Sequence, residues 1–112
     1  MKSTIFEHGG KKYLIRIGTN KQENWDLLDE SAESDIWFHV DGATSSYVIL
    51  QTLETIKDTP REVIKRCACL CKTHSSSKAV AKCPIIYTTV KNVEKTKIVG
   101  QVQTTNCKTV II

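Results

Sequence analysis

Only two prolines and five glycines punctuate the 112 residues, too few for a collagen-like repeat or a low-complexity segment. No uninterrupted apolar run approaches the roughly 20 residues of a bilayer-crossing helix. Met1–Gly10 carries Lys2, Glu7 and His8 where a secretory signal would have its apolar stretch. Asn-x-Ser/Thr acceptors are absent, and the five cysteines are odd in number with no paired Cys-x-x-Cys spacing. These absences predict one soluble intracellular domain spanning residues 1–112, with reduced thiols and no membrane partner. The cytoplasm is the expected compartment, with the nucleus as a second. A chain of this length buries roughly two-thirds of its unfolded surface, enough for a core without staples.

Charge is present in both signs but unevenly placed. The net charge of +4 divides into +2 over residues 1–28, −6 over 29–58 and +8 over 59–112. Segregation of this kind makes a positive face for nucleic acid and a separate acidic face for a protein partner. A solvated lysine surface is the plainer alternative.

The hydrophobic pattern predicts an α+β domain, a largely antiparallel sheet with two helices. Thr4–Phe6 and Tyr13–Ile17 flank His8-Gly9-Gly10-Lys11 as a hairpin. A short helix begins near Asn20, whose side chain caps it while Glu23 returns the bond. Asp35–Asp41 alternates strictly, with Ile36, Phe38 and Val40 on one face and Asp35, Trp37, His39 and Asp41 on the other. Tyr47–Gln51 follows as an antiparallel neighbour. Thr59-Pro60-Arg61-Glu62 predicts a second helix, capped by Thr59, with Val63, Cys67, Leu70 and Cys71 as its apolar stripe. Strands then follow at Ile85–Thr89, Asn92–Val93, Gly100–Thr104 and Thr109–Ile112.

Few residues suggest chemistry. Cys67, Cys69 and Cys71 are tempting ligands, but on a helix the first and third share a face and Cys69 points elsewhere, so they read as thiols and no metal is implied. His8, His39 and His74 lie on unrelated elements, Gly9-Gly10-Lys11 lacks the context of a phosphate loop, and nothing specifies an enzyme or a cofactor. Two constellations remain. Aromatic residues form only 6% of the chain, yet Trp37, His39 and Tyr47 converge on one predicted sheet face, an arrangement that stacks unpaired bases. The alternative is that the second helix covers this face and Trp37 is core. Lys78, Lys82, Lys91, Lys95 and Lys97 cluster around the strand Ile85–Thr89 and are candidates for phosphate contacts.

Gly18-Thr19-Asn20-Lys21-Gln22-Glu23-Asn24-Trp25-Asp26-Leu27, followed by Asp35-Ile36-Trp37-Phe38-His39-Val40, resembles the signature of the NFACT-R domain family. Tyr87–Lys95, Gly100-Gln101-Val102 and Lys108-Thr109-Val110 are similar to its C-terminal half, so the resemblance runs from about Lys12 to the end. It implies an RNA-binding module. In its best-known setting the domain belongs to ribosome-associated quality control factors, which recognise dissociated large ribosomal subunits and direct C-terminal tailing of the nascent chain. Small stand-alone members carry a coiled-coil tail, and this chain resembles that type. The resemblance implies a surface of Asn20, Asn24, Asp35, Trp37, His39, Lys91 and Lys95, with Tyr47 where the family usually has histidine. Tyrosine still stacks and donates a hydrogen bond, but it does not become cationic. The expected function is therefore non-catalytic RNA binding, with ribosomal RNA of the large subunit as a candidate and DNA as an alternative ligand. The rival expectation is a protein–protein adaptor docking through the acidic segment or the sheet edge at Thr109–Ile112.

Overall fold

The computed structural model describes all 112 residues. Strands β1 (Lys2–His8) and β2 (Lys11–Ile17) form the predicted hairpin. Its two-residue turn holds Gly9 and Gly10 at φ of 59° and 78°, the left-handed pair that a twist-matched tight hairpin demands. Helix α1 (Lys21–Glu30), strands β3 (Ile36–Val40) and β4 (Val48–Gln51), and helix α2 (Arg61–Thr73) follow. Then come β5 (Pro84–Thr89), a 3-10 turn at Val90–Asn92, β6 (Val93–Lys95), β7 (Val102–Thr104) and β8 (Lys108–Ile111).

Six strands make one antiparallel sheet in the order β1-β2-β4-β3-β5-β8, and β6 with β7 forms a separate two-stranded hairpin. The α+β architecture is thus as the sequence pattern predicts. The predicted Asn92–Val93 strand begins one residue later, at Val93, and runs to Lys95, because Val90–Asn92 turns tightly first. No helix is long and apolar enough to cross a membrane.

Strand alternation sends each residue set to its own core. Ile15, Leu50 and Ile36 lie directly opposite one another across β2, β4 and β3. They join Phe38, Val48 and Ile85 beneath Val63, Ile64, Cys67, Ala68 and Cys71 of α2. The predicted stripe of α2 is the one buried. Its predicted cap is not used: Thr59 is buried and donates its hydroxyl to Thr55 O at 2.8 Å, and Pro60 precedes the helix without a side-chain cap. Cys67, Cys71 and Cys83 are buried, whereas Cys69 and Cys107 are exposed. Burial pushes the Cys67 thiol upward and the Cys71 thiol up to about 12, so both stay protonated at neutral pH.

The opposite face carries a smaller core of Trp37, Tyr47, Ile49, Leu27, Leu28, Val90 and Val93. Helix α1 and the β6–β7 hairpin supply its cover. This second layer places the site.

Candidate nucleic-acid interface

The site begins where α1 starts. Asn20 caps the helix, its Oδ1 accepting from Glu23 N at 2.8 Å. The Glu23 carboxylate closes the turn one residue earlier than the sequence suggests, accepting from Thr19 N at 3.0 Å and from the Thr19 hydroxyl. The Met1 ammonium lies 2.8 Å from it, and that bond, with those from Thr19, holds the carboxyl down at about 2. Asn24, one turn into α1, accepts from Tyr47 N at 3.0 Å, while Gly18 N donates to Tyr47 O at 3.0 Å. Only glycine fits at 18: a Cβ there would lie 2.2 Å from Asn24 Oδ1. The segment from Gly18 to Asn24 thereby clips the residue that leads into β4.

Tyr47 in turn anchors the β6–β7 hairpin. Its buried hydroxyl donates to Gly100 O at 2.6 Å. Burial pushes the phenol up to about 12, so it remains a neutral donor. Gly100 sits at φ +85°, and a Cβ on it would meet Lys21 Cβ and Cγ at 3.0 Å, so the hairpin tip rests closely on the first turn of α1.

Between these parts lies a cleft of about 810 Å³. Its walls are the start of α1 (Thr19, Asn20, Lys21, Asn24), the β3–β4 turn (Gly42 to Ser46), the loop after α2 (His74 to Ser76) and the hairpin tip (Ile98 to Gln101), with His39 among them. An isolated bridge between Ser45 and Ser75 joins the second and third walls. None of the 17 lining residues is acidic, and six bear hydroxyls. His39 stacks on Trp37 at 5.7 Å with the rings 6° apart and meets the Tyr47 ring edge-on at 5.4 Å. Burial lowers its pKa, against opposing contributions from the Val40 backbone and the Asp41 charge, so at neutral pH it is an uncharged imidazole. His74 donates Nδ1–H to Leu70 O at 2.9 Å, which leaves Nε2 as an acceptor in the neutral ring.

The structure gathers some of the predicted residues and parts others. Asn20, Asn24 and His39 line the cleft. Trp37 does not offer an open stacking face: it is 1% exposed, and the cover is α1 and the hairpin rather than α2. Tyr47 is likewise 1% exposed, its hydroxyl spent on Gly100. Asp35 is buried as a backbone clamp, its carboxylate accepting from Ala32 N at 3.0 Å and Thr52 N at 3.1 Å, which satisfies a charge that burial would otherwise penalise. The lysines do not form one cluster. Lys97 precedes the cleft residue Ile98 and Lys78 follows Ser76 by two positions; both are exposed and neither lines the cleft. Lys82 stands at the start of β5, beside the paired Cys83 and Ile112. Lys95 pairs with Asp29 and lies 5.1 Å over the Trp25 ring. Lys91 is at the other end of β3, its amide on Glu33 O, beside a smaller hollow that includes Glu94.

The acidic segment forms no single face either. Asp35 is buried, Asp29 meets Lys95, Glu30 meets Arg16 at 3.2 Å and Glu54 meets Lys11 at 3.3 Å. The sequence pattern did not single out Lys21, His74, Ser75 or the 98–101 tip. Thr73–Ser77 reads along the chain only as a polar loop, and its place beside Ser45 is set by a contact 30 residues away.

Comparison with known proteins follows the same lines. The model of the family described as NFACT protein RNA binding domain matches residues 2–106. Coiled-coil domain-containing protein 25 of Mus musculus is 40% identical over 87 residues, covering 75% of this chain and 42% of that protein. Protein JLP2 of Saccharomyces cerevisiae is 36% identical over 92 residues, covering 76% and 44%. The chain therefore spans less than half the length of these relatives. Among solved structures, the C-terminal region of the fibronectin/fibrinogen-binding protein from Streptococcus suis superposes with a TM-score of 0.85 over 100% of this chain and 45% of the other. At 22% identity that likeness shows the shared fold.

Proposed function

We propose, from the premise that this chain belongs to the NFACT protein RNA-binding domain family, that it is a non-catalytic RNA-binding module whose contact surface is the cleft between α1, the β3–β4 turn, the loop after α2 and the hairpin tip. The observation that carries this reading is the absence of any carboxylate among the lining residues, with Lys21 within the cleft and exposed Lys97 and Lys78 one and two positions along the chain from lining residues. No carboxylate lines the cleft; the nearest are Glu23, held by Thr19 and the Met1 ammonium, and Asp41, whose charge reaches His39. Lysines neutralise phosphates, while the hydroxyls of Thr44, Ser46 and Ser76 and the amides of Asn20 and Gln101 suit the ribose and the remaining phosphate oxygens.

The test is RNA affinity at two salt concentrations for the wild type and for Lys21→Ala with Lys97→Ala. Each phosphate contact releases counterions, so losing two should weaken binding and flatten the log–log salt slope by roughly 1.4–1.8. An affinity and slope equal to the wild type's would rule out the cleft. Within this reading we place the protein in the cytoplasm or nucleus, on ribosomal RNA of the large subunit and in ribosome-associated quality control. Crosslinking in cells followed by sequencing of the bound nucleic acid checks that placement, and recovered RNA devoid of ribosomal sequence would count against it.

One observation favours a second reading, a protein partner at the sheet edge. β8 is the last strand of the sheet and pairs on one side alone, with Ile111 exposed. Capture of a partner that survives nuclease and is lost in Thr109→Pro supports that reading.

A further inference from the structure

We infer that the cleft takes an unpaired RNA strand, one of whose bases lies against Ile98 and Val99 at the hairpin tip; this rests on the RNA-binding reading above and specifies its ligand. Tight turns ordinarily carry Gly, Asn, Asp or Ser. This one projects two adjacent β-branched apolar side chains, with Ile98 58% and Val99 42% exposed. They are two of only three hydrophobic residues lining an otherwise polar cleft.

The tip is held in place rather than loosely extended. Thr96 N donates to Gln101 O at 3.1 Å, Gln101 N to Ile98 O at 3.0 Å and Ile98 N to Thr96 Oγ1 at 3.1 Å. Tyr47 holds Gly100 by its hydroxyl, and Lys21 packs close to that glycine. The turn thus meets its own polar needs and presents the apolar pair with little entropy left to lose on binding.

A nucleotide divides in the same way as the cleft. Its sugar and phosphate match the hydroxyl and lysine walls, and the apolar face of its base matches the Ile98–Val99 rim. No aromatic ring competes for that face, since Trp37 and Tyr47 are buried and His39 is stacked on Trp37. In a duplex the base faces are covered by their neighbours, and only phosphates, sugars and groove edges are open to contact. An unpaired strand exposes both parts, as single-stranded recognition requires.

The experiment measures the 112-residue chain and its Ile98→Ser, Val99→Ser double variant against an unstructured oligoribonucleotide and a blunt RNA duplex, each at two salt concentrations. Both substituted positions are exposed, so the fold is unaffected and circular dichroism verifies it. The wild type should prefer the unpaired strand. The variant should lose roughly three- to tenfold on that strand, the loss of a partly buried aliphatic contact, with the salt slope unchanged and duplex affinity unchanged. An equal loss on strand and duplex overturns the inference, because the tip would then act through the shape of the cleft. Unchanged affinity for both overturns it as well. If Lys21→Ala with Lys97→Ala weakens binding while the tip variant does not, the RNA reading stands and the unpaired-base contact falls. Absence of RNA binding by the wild type removes both.

Discussion

The two faces of the main sheet are built from alternate residues of the same strands, yet they are covered in different ways. On the Ile36–Phe38–Val40 side, the 13-residue helix α2 lays one continuous apolar stripe across four strands. On the Trp37–His39 side, the 10-residue helix α1 and a three-residue-stranded hairpin cover the sheet from two directions and leave a cleft between them. The first face is held by area, the second by a few directional bonds: Asn24 to Tyr47, Tyr47 to Gly100, Lys95 to Asp29. A closed aliphatic layer gives the domain its stability, and a discontinuous, hydrogen-bonded cover supplies the open polar surface that a ligand needs.

The largest expected effect tests the first half of that contrast. Phe38→Ala empties a fully buried site under α2 and should cost about 3–5 kcal/mol, read as a lower denaturant midpoint. RNA affinity per folded molecule should be unchanged, since no cleft residue is touched. A loss of affinity in the folded fraction would mean that the two faces are coupled.

Gly18→Ala comes next and acts at the join between α1 and β4. With its Cβ 2.2 Å from Asn24 Oδ1, it must break the bond to Tyr47 N and leave that buried amide unpaired, at about 1–3 kcal/mol. Both the unfolding midpoint and RNA affinity should fall, which distinguishes this position from Phe38.

Titration probes the Trp37–His39 face from both ends of the pH range. Burial depresses the His39 pKa below its ordinary 6.5, so the unfolded chain binds the proton more readily. The corresponding stability is complete above pH 6.5 and is lost as pH falls through the lower folded value. Tyr47 has the opposite sign: with its phenol raised from 10.0 to about 12, its contribution is complete below pH 10 and is lost as pH rises towards 12. Tyr47→Phe should remove its own share of the alkaline loss, leaving that of Tyr13, Cys67 and Cys71, whose pKa values are also raised by burial. It should lower stability at neutral pH by about 0.5–1.5 kcal/mol through the missing bond to Gly100. Urea unfolding of the wild type and this variant across the pH range measures both arms.

What the sequence makes legible follows from the same contrast. The stripe of α2 and the alternation of β3 are local patterns, repeating every three to four residues or every two, and both appear in the fold. The cap at Asn20 is equally local and equally present. The burial of Trp37 is not local: the alternation places it on the face away from Phe38, but its cover arrives from residues 27–28 and 90–93. The charge blocks mislead for a related reason. The −6 and +8 segments are distant along the chain, yet Asp29 meets Lys95 in space. The cleft itself is assembled from four separate loops and helix ends, and no short-range pattern connects Ser45 to Ser75 or Tyr47 to Gly100.

The smallest expected effect concerns Lys91, and it sharpens the contrast between the two ends of β3. Asp35, at the Lys91 end, is four residues from His39, about 13 Å at the usual strand rise of 3.3 Å per residue. Lys91 shares its hollow with Glu94, one charge of each sign. The cleft at the other end holds no carboxylate at all. Lys91→Ala should therefore change RNA affinity less than about twofold and leave the salt slope within a few tenths, because a phosphate contact that is not made releases no counterion. Lys97→Ala should reduce the slope by roughly 0.7–0.9. If the two slopes change equally, the RNA runs the length of the hairpin from Lys97 to Lys91, and the acid-free cleft is one end of a longer track rather than the whole contact.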